Sequence, residues 1–163
     1  MLFRSGITGL QLKMLRKVAE TVPVDVILSY CRYNLLITDM DDLLTPFAEQ
    51  HGIGLINASP LHMGILTHNG PPPWHPAPAD AKEAGRRVVQ LCKRPTDIAL
   101  QFCFQHPYVA TTLAGMTTVE QVRENVAAAS EPADTDLIAE IRAQYSSNRS
   151  WPTGRPENQD HAS

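Results

Sequence analysis

Four short apolar segments, each followed by a stretch of helical periodicity, constrain this chain more than any other feature. Residues 2–8, 24–30, 53–58 and 109–114 are rich in Ile, Leu, Val and Thr. Near-continuous apolar runs of this length are the pattern of strands buried on both faces, as in parallel sheets. After the first, Leu12, Leu15, Val18 and Ala19 give a helix face that stops before Pro23. Residues 39–50 carry Leu43, Leu44, Phe47 and Ala48 at helical spacing, with Pro46 either kinking that helix or lying near its start. Residues 79–92 read as a helix, and Pro95 with Thr96 and Asp97 opens another that runs to Phe104. Leu137, Ile138, Ile141 and Tyr145 mark a last one. The order βαβαβααβα asks for a parallel sheet with helical crossovers. Four such strands make a small open sheet, or half of an eight-stranded barrel whose complete form runs to about 250 residues. Periodicity does not separate the two.

Composition narrows the class. At 163 residues the chain can bury one core, and 43% hydrophobic with 19% charged residues excludes a disordered polymer. The net charge of −3, without any block of Lys and Arg, gives no nucleic-acid surface. No apolar run approaches the ~20 residues of a membrane helix, and residues 1–4 turn polar too soon for a signal peptide. A cytoplasmic protein without membrane or nucleic-acid partners is therefore expected. Cys31, Cys92 and Cys103 are odd in number and sit in apolar surroundings, which reads as buried, reduced thiols. Residues 131–145 are assigned to a C-terminal helix, and the polar residues 146–163 to a disordered tail.

Two segments carry the chemistry. Residues 113–126 read as a strand end, a tight turn at Gly115 and a helix start, with Thr117 and Glu120 spaced as a capping box. Val119, Val122 and Val126 recur at helical spacing, so that face is expected to pack inward. Such a helix start is either an ordinary βα unit or an anion site built from free N–H groups and the helix dipole. The second segment, residues 59–78, holds Pro71, Pro72, Pro73, Pro76 and Pro78 and has no helical pattern. A loop of that length inside a compact domain is usually a lid or a binding loop. His62, His68 and His75 lie in it, but a metal needs convergent ligands, so they read as loop histidines near a substrate rather than a metal site. Asp39, Asp41 and Asp42 read most simply as a charged helix start.

Five motifs together resemble one known family. These are Leu28-Ser29-Tyr30-Cys31-Arg32 within residues 24–36, Ser59-Pro60-Leu61 within residues 52–64, Trp74-His75-Pro76 within residues 70–76, Pro95-Thr96-Asp97 within residues 95–101, and residues 115–126. In this order they resemble the aldo/keto reductases, over about residues 4–130. The resemblance implies residues 1–130 as the C-terminal half, strands five to eight, of a (β/α)8 TIM barrel. It implies an oxidoreductase that moves hydride between a nicotinamide dinucleotide and a sugar or small carbonyl or alcohol. That family's catalytic Asp, Tyr, Lys and His belong to the other half, so no catalytic residue is expected here. Tyr30 and Tyr33 lie on the wrong strand. Three arrangements follow: a truncated reading of a longer enzyme, a subunit completed by itself or by a complementary N-terminal half-barrel, or a non-catalytic dinucleotide-binding module.

The resemblance also implies a set of cofactor residues. Thr8 matches a position that bonds the nicotinamide carboxamide, and Tyr30 stands where relatives often have Gln for the same contact. Ala58 stands where many relatives have an aromatic that stacks on the nicotinamide. Ser59, Leu61, Met63 and Gly64 match the loop that passes the pyrophosphate. Gly115, Met116, Thr117 and Thr118 would take the adenosine ribose and phosphate, and Glu124 and Asn125 the adenine. Relatives that prefer NADP usually place Lys or Arg where this chain has Gly115 and Gln121. A 2′-phosphate would lose charge-assisted bonds there, worth about 1.5–3 kcal/mol each, so NAD is expected over NADP.

Overall fold

The computed structural model describes residues 5–146. Four strands, β1 (Gly6–Gly9), β2 (Val26–Tyr30), β3 (Gly54–Ala58) and β4 (Val109–Leu113), form one sheet in chain order. Every pairing is parallel, with a register irregularity opposite Leu55 and Ile56. The helices are α1 (Leu12–Thr21), α2 (Asp39–Leu43), α3 (Thr45–His51), α4 (Ala79–Leu91), α5 (Pro95–Phe104), α6 (Val119–Ser130) and α7 (Thr135–Tyr145). The single helix expected over residues 39–50 is two. Pro46 sits in the first turn of α3, where its missing N–H is not needed. The expected C-terminal helix is α7, which buries Ile138 and Ile141. The expected tail lies outside the described residues, apart from Ser146.

Among the described residues the sheet is covered on one face only, which departs from the burial on both faces that the apolar runs suggest, but agrees with the uncovered inner strand faces expected of half a barrel. In register, Ile7, Ile27, Leu55 and Val109 share one face, and one step along, Gly9, Ser29, Asn57 and Thr112 share it too. Ile27, Ser29, Leu55 and Asn57 on this face are buried among the helices. The opposite face carries Thr8, Leu28, Ile56 and Thr111, then Tyr30, Ala58 and Leu113. There Leu28, Tyr30 and Ile56 are half-buried and Thr8, Thr111 and Leu113 are exposed. Apolar runs were therefore a sound signal for strands, but here they report a second face open among the described residues. Among the described residues the sheet also ends in two unpaired edges, β1 and β4.

Burial and hydrogen bonding concentrate at the β2 exit. Arg32 and Asp39 are both fully buried, 2.5 Å apart, and Arg32 Nε donates to the Leu10 carbonyl at 2.7 Å. The exit of β2, the β1–α1 turn and the start of α2 are thus tied at one point. Asp41 accepts from Thr45 Oγ1 and lies 2.8 Å from His106 Nε2. The acidic run at residues 39–42 is accordingly more than a solvated helix start. His106 Nδ1 accepts from the Tyr108 and Val109 amides, so its proton sits on Nε2 and points at Asp41. All three cysteines are buried free thiols, as the composition suggested.

Candidate functional site

At the carboxyl ends of β2, β3 and β4 lies a cleft of about 640 Å³. Tyr30 ends β2, Ala58 ends β3 and Leu113 ends β4, and these three in-register residues form part of its wall. Ser59, Pro60, Leu61, Met63 and Gly64 follow from β3, Ala114 and Gly115 from β4, and Pro72 and Trp74 reach in from the proline-rich loop. Six residues expected at the cofactor site, Tyr30, Ser59, Leu61, Met63, Gly64 and Gly115, therefore meet in one cavity. Thr8 does not join them. It faces the same open side of the sheet, but lines a second cleft with Leu10, Gln11, Met14 and Val18 at the β1 edge.

The walls are held by unusual backbone. Cys31, Ser59, His62 and Met63 all have positive φ, between 50° and 65°, although none is glycine. Such residues cost on the order of 1–3 kcal/mol each and persist where the surroundings over-determine them. Ser59 Oγ accepts from the Met63 amide at 3.1 Å, which closes the turn after β3. Gly64, at φ +98°, brings its Cα side so near the Gly70 carbonyl that a Cβ would stand 2.9 Å from that oxygen. Only glycine fits this contact, and it fixes where the loop begins.

Two buried histidines seat the loop. His75 Nδ1 accepts from the Ala77 amide at 3.0 Å, so its proton is on Nε2, which donates to the His62 carbonyl at 3.2 Å. Lys82 Nζ donates to the His75 carbonyl at 2.7 Å. The His62 and His75 rings lie 5.8 Å apart. Burial, with His75 nearby, pushes the His62 imidazole down to about 3. Burial also lowers His75, against an opposing pull from its bond to the His62 carbonyl. His68 instead points at the Lys93 carbonyl, 3.3 Å away. Both buried imidazoles are therefore neutral near pH 7 and lie behind the loop that contributes to the wall.

Beyond Gly115 the chain leads into α6. Thr118 is its N-cap and accepts from the Gln121 amide at 3.2 Å. Gln121 Oε1 accepts in turn from the Thr117 amide at 2.7 Å and from the Thr117 hydroxyl at 3.1 Å. The cap is thus one residue later than expected: Thr118 with Gln121, not Thr117 with Glu120. Met116, Thr117, Thr118, Gln121, Glu124 and Asn125 lie outside the cleft wall, on this turn and the first two turns of α6. Val119, Val122 and Val126, expected to face inward, are exposed; Val119 and Val126 are 60% and 61% accessible. Only Ala128 of α6 is buried. Helical spacing located the helix, but which side is covered depends on what the rest of the fold places against it.

Sequence reasoning treated the proline-rich segment as a binding loop and did not single out Trp74 or Pro72 as wall residues. The usable signal was there: an aromatic flanked by prolines in a long irregular segment. Among the described residues no cluster of three or more His, Cys, Asp or Glu could hold a metal ion, and no helix is long and apolar enough to cross a membrane.

A parallel sheet with helical crossovers and a ligand-sized cleft at its strand carboxyl ends is the architecture of α/β cofactor- and substrate-binding proteins. Residues 4–146 match the aldo/keto reductase family, and the chain belongs to that family, a family of oxidoreductases. It is 42% identical to an L-galactose dehydrogenase from Arabidopsis thaliana over 94% of this chain and 52% of that one. It is 27% identical to an NADH-specific methylglyoxal reductase from Escherichia coli (strain K12), over 83% of this chain and 47% of that one. The chain thus spans about half the length of these relatives. In structure it resembles the holo form of an aldo-keto reductase from Bacillus halodurans, with a TM-score of 0.71 over 92% of this chain and 52% of that one, at 21% identity.

Proposed function

We propose that this chain is the cofactor-binding part, strands five to eight, of an NAD-linked oxidoreductase acting on a sugar or small carbonyl or alcohol, in the manner of L-galactose dehydrogenases. The observation that carries the proposal is the meeting of Tyr30, Ser59, Leu61, Met63, Gly64 and Gly115 in one cleft. A bound nicotinamide dinucleotide would supply hydride chemistry. The Tyr30 ring takes the nicotinamide end, where Ala58 leaves room beside it. Ser59, Leu61, Met63 and Gly64 follow the pyrophosphate. Gly115, Met116, Thr117 and Thr118 lead to the ribose, and Glu124 and Asn125 face the adenine. Thr8, on the same open sheet face but lining the separate cleft at the β1 edge, is assigned to the carboxamide by resemblance alone.

The identity of the dinucleotide turns on Gln121. Gln121 is uncharged, and its amide oxygen is engaged by Thr117, so it presents a 2′-phosphate with no cationic partner. The name of the Escherichia coli relative, NADH-specific, supports NAD over NADP. Titration calorimetry of the chain with NAD and NADP tests this: NAD should bind at least tenfold tighter, and tighter NADP binding overturns it. Proton transfer to the substrate oxygen is assigned to no residue of this chain. We place the protein in the cytoplasm.

A second reading rests on the open sheet face and the two unpaired edges. Here the chain is a dinucleotide-binding partner subunit without turnover of its own, completed by a complementary half-barrel or by self-association. NAD binding without turnover, with turnover gained only on adding an N-terminal half, distinguishes it.

A further inference from the structure

We propose that a second copy of this chain closes the sheet head to tail. At two equivalent seams, β4 of one copy pairs with β1 of the other, and the apolar ridge of α6 seats in the groove between β1 and α1. The inference rests on the second reading above and deepens it by naming the partner. Four parallel strands in chain order leave β1 and β4 as edges that run the same way, so two copies make eight strands and leave no edge. Gly6–Gly9 and Val109–Leu113 carry none of the charges or prolines that blunt an edge meant to stay free. No strand residue on the open face is charged either. Thr8, Leu28, Tyr30, Ile56, Thr111 and Leu113 suit the filled interior of an eight-stranded barrel, not a face turned to water.

The two edges differ in shape and fit each other. Among the described residues, six of the ten exposed large apolar side chains sit at these edges: Leu113, Met116, Val119, Val122 and Val126 at β4, and Met14 at β1. The first five form a ridge from the end of β4 along α6. Met14 instead lines a groove of about 500 Å³ with Ile7, Leu10, Leu15 and Val18. By the right-handed sweep that lays β1 to β4 in order, the helix after β4 belongs over the seam with a following strand. That puts the ridge of one copy on the groove of its partner. The charges flanking them are opposed in sign. In α1, Lys13, Arg16 and Lys17 outnumber Glu20, whereas in α6 Glu120 and Glu124 outnumber Arg123. Two α6 helices set face to face would bring like signs together, which favours the head-to-tail seam.

Sedimentation velocity of the full chain at micromolar concentration should show a dimer and no larger species, with or without NAD. Val122→Lys on the ridge and Met14→Glu in the groove should each weaken the dimer at least about tenfold, because each puts an unpaired charge into both seams. Both side chains are exposed in the single chain, so circular dichroism should show the fold unchanged. Mixed in equal amounts, the two variants should dimerise again, since one seam then pairs the opposite charges and the other is native. A monomer, an open polymer or a mixture that stays monomeric overturns the proposal. So does a dimer broken by Val122→Lys but not by Met14→Glu, which would be a symmetric α6 contact. A monomer that gains turnover with an added N-terminal half keeps the second reading and overturns this proposal alone. Failure of NAD to bind a sound dimer strikes the dinucleotide reading and leaves the seam standing.

Discussion

The β2 exit and the β4–α6 corner lie at the same end of one sheet and are built in opposite ways. At the first, a fully buried ion pair, a positive-φ Cys31 and a hydrogen bond to the Leu10 carbonyl fix the chain just after Tyr30. At the second, Gly115, Met116, Thr117 and Thr118 are all exposed, and α6 turns three valines to solvent. The first fixes the backbone leaving β2. The second offers backbone and polar groups over an open surface. A cleft with one rigid wall and one exposed wall suits an extended ligand, gripped at one end and laid across a turn at the other.

The comparison breaks first at Asp39. Asp39→Ala would leave the Arg32 guanidinium buried and uncompensated, and a loss of about 3–5 kcal/mol is expected by urea denaturation. A loss below about 1 kcal/mol would mean that the β2 exit is not rigid in solution. Next comes Gly64→Ala, which places a methyl 2.9 Å from the Gly70 carbonyl at φ +98°. It should destabilise by about 1–3 kcal/mol and weaken ligand binding in the cleft, and an unchanged melt would show the loop free to shift.

Acid probes the two histidines that seat the loop. His62 and His75 both have imidazoles lowered by burial, so the unfolded chain binds protons that the folded chain refuses. Their contribution is complete above the unfolded value near 6.5 and is lost as pH falls from there toward the folded values, about 3 for His62. The slope is at most ~1.4 kcal/mol per pH unit for each histidine. Measured between pH 6.5 and 5, above the range of most carboxylates, it should flatten in His62→Asn, since Asn tolerates positive φ. An unchanged slope would sink the assignment.

At the corner the effects shrink. Thr118→Ala removes an exposed N-cap and should lower stability by about 1 kcal/mol in thermal melts. Val122→Ser should stay within about 0.5 kcal/mol if the α6 face is open to water. A larger loss would show that face covered in solution, by another copy or by a complementary half, and would bring the corner closer in kind to the β2 exit.

Some of this was written in local sequence. The four strands, Pro95 at the start of α5, the three buried thiols and the irregular course of the proline-rich segment follow from periodicity, proline geometry and apolar context. All of these act within a dozen residues. The residues expected at a cofactor came from motif resemblance, and six of them line one cleft at the strand ends. The half-barrel resemblance led to the expectation of uncovered inner strand faces, but local patterns by themselves could not decide which surfaces are covered. Apolar strands look the same whether one face or both are buried, and Val119, Val122 and Val126 keep helical spacing whether or not a neighbour lies against them. Nor could they show that Arg32 and Asp39 neutralise each other inside the fold, or that Thr8 falls in a different cleft from Tyr30. Covering, pairing and convergence depend on packing between elements distant in the chain. For that reason the sequence determined the order and kind of the elements, while only the tertiary structure placed Trp74 over the cleft and left α6 open.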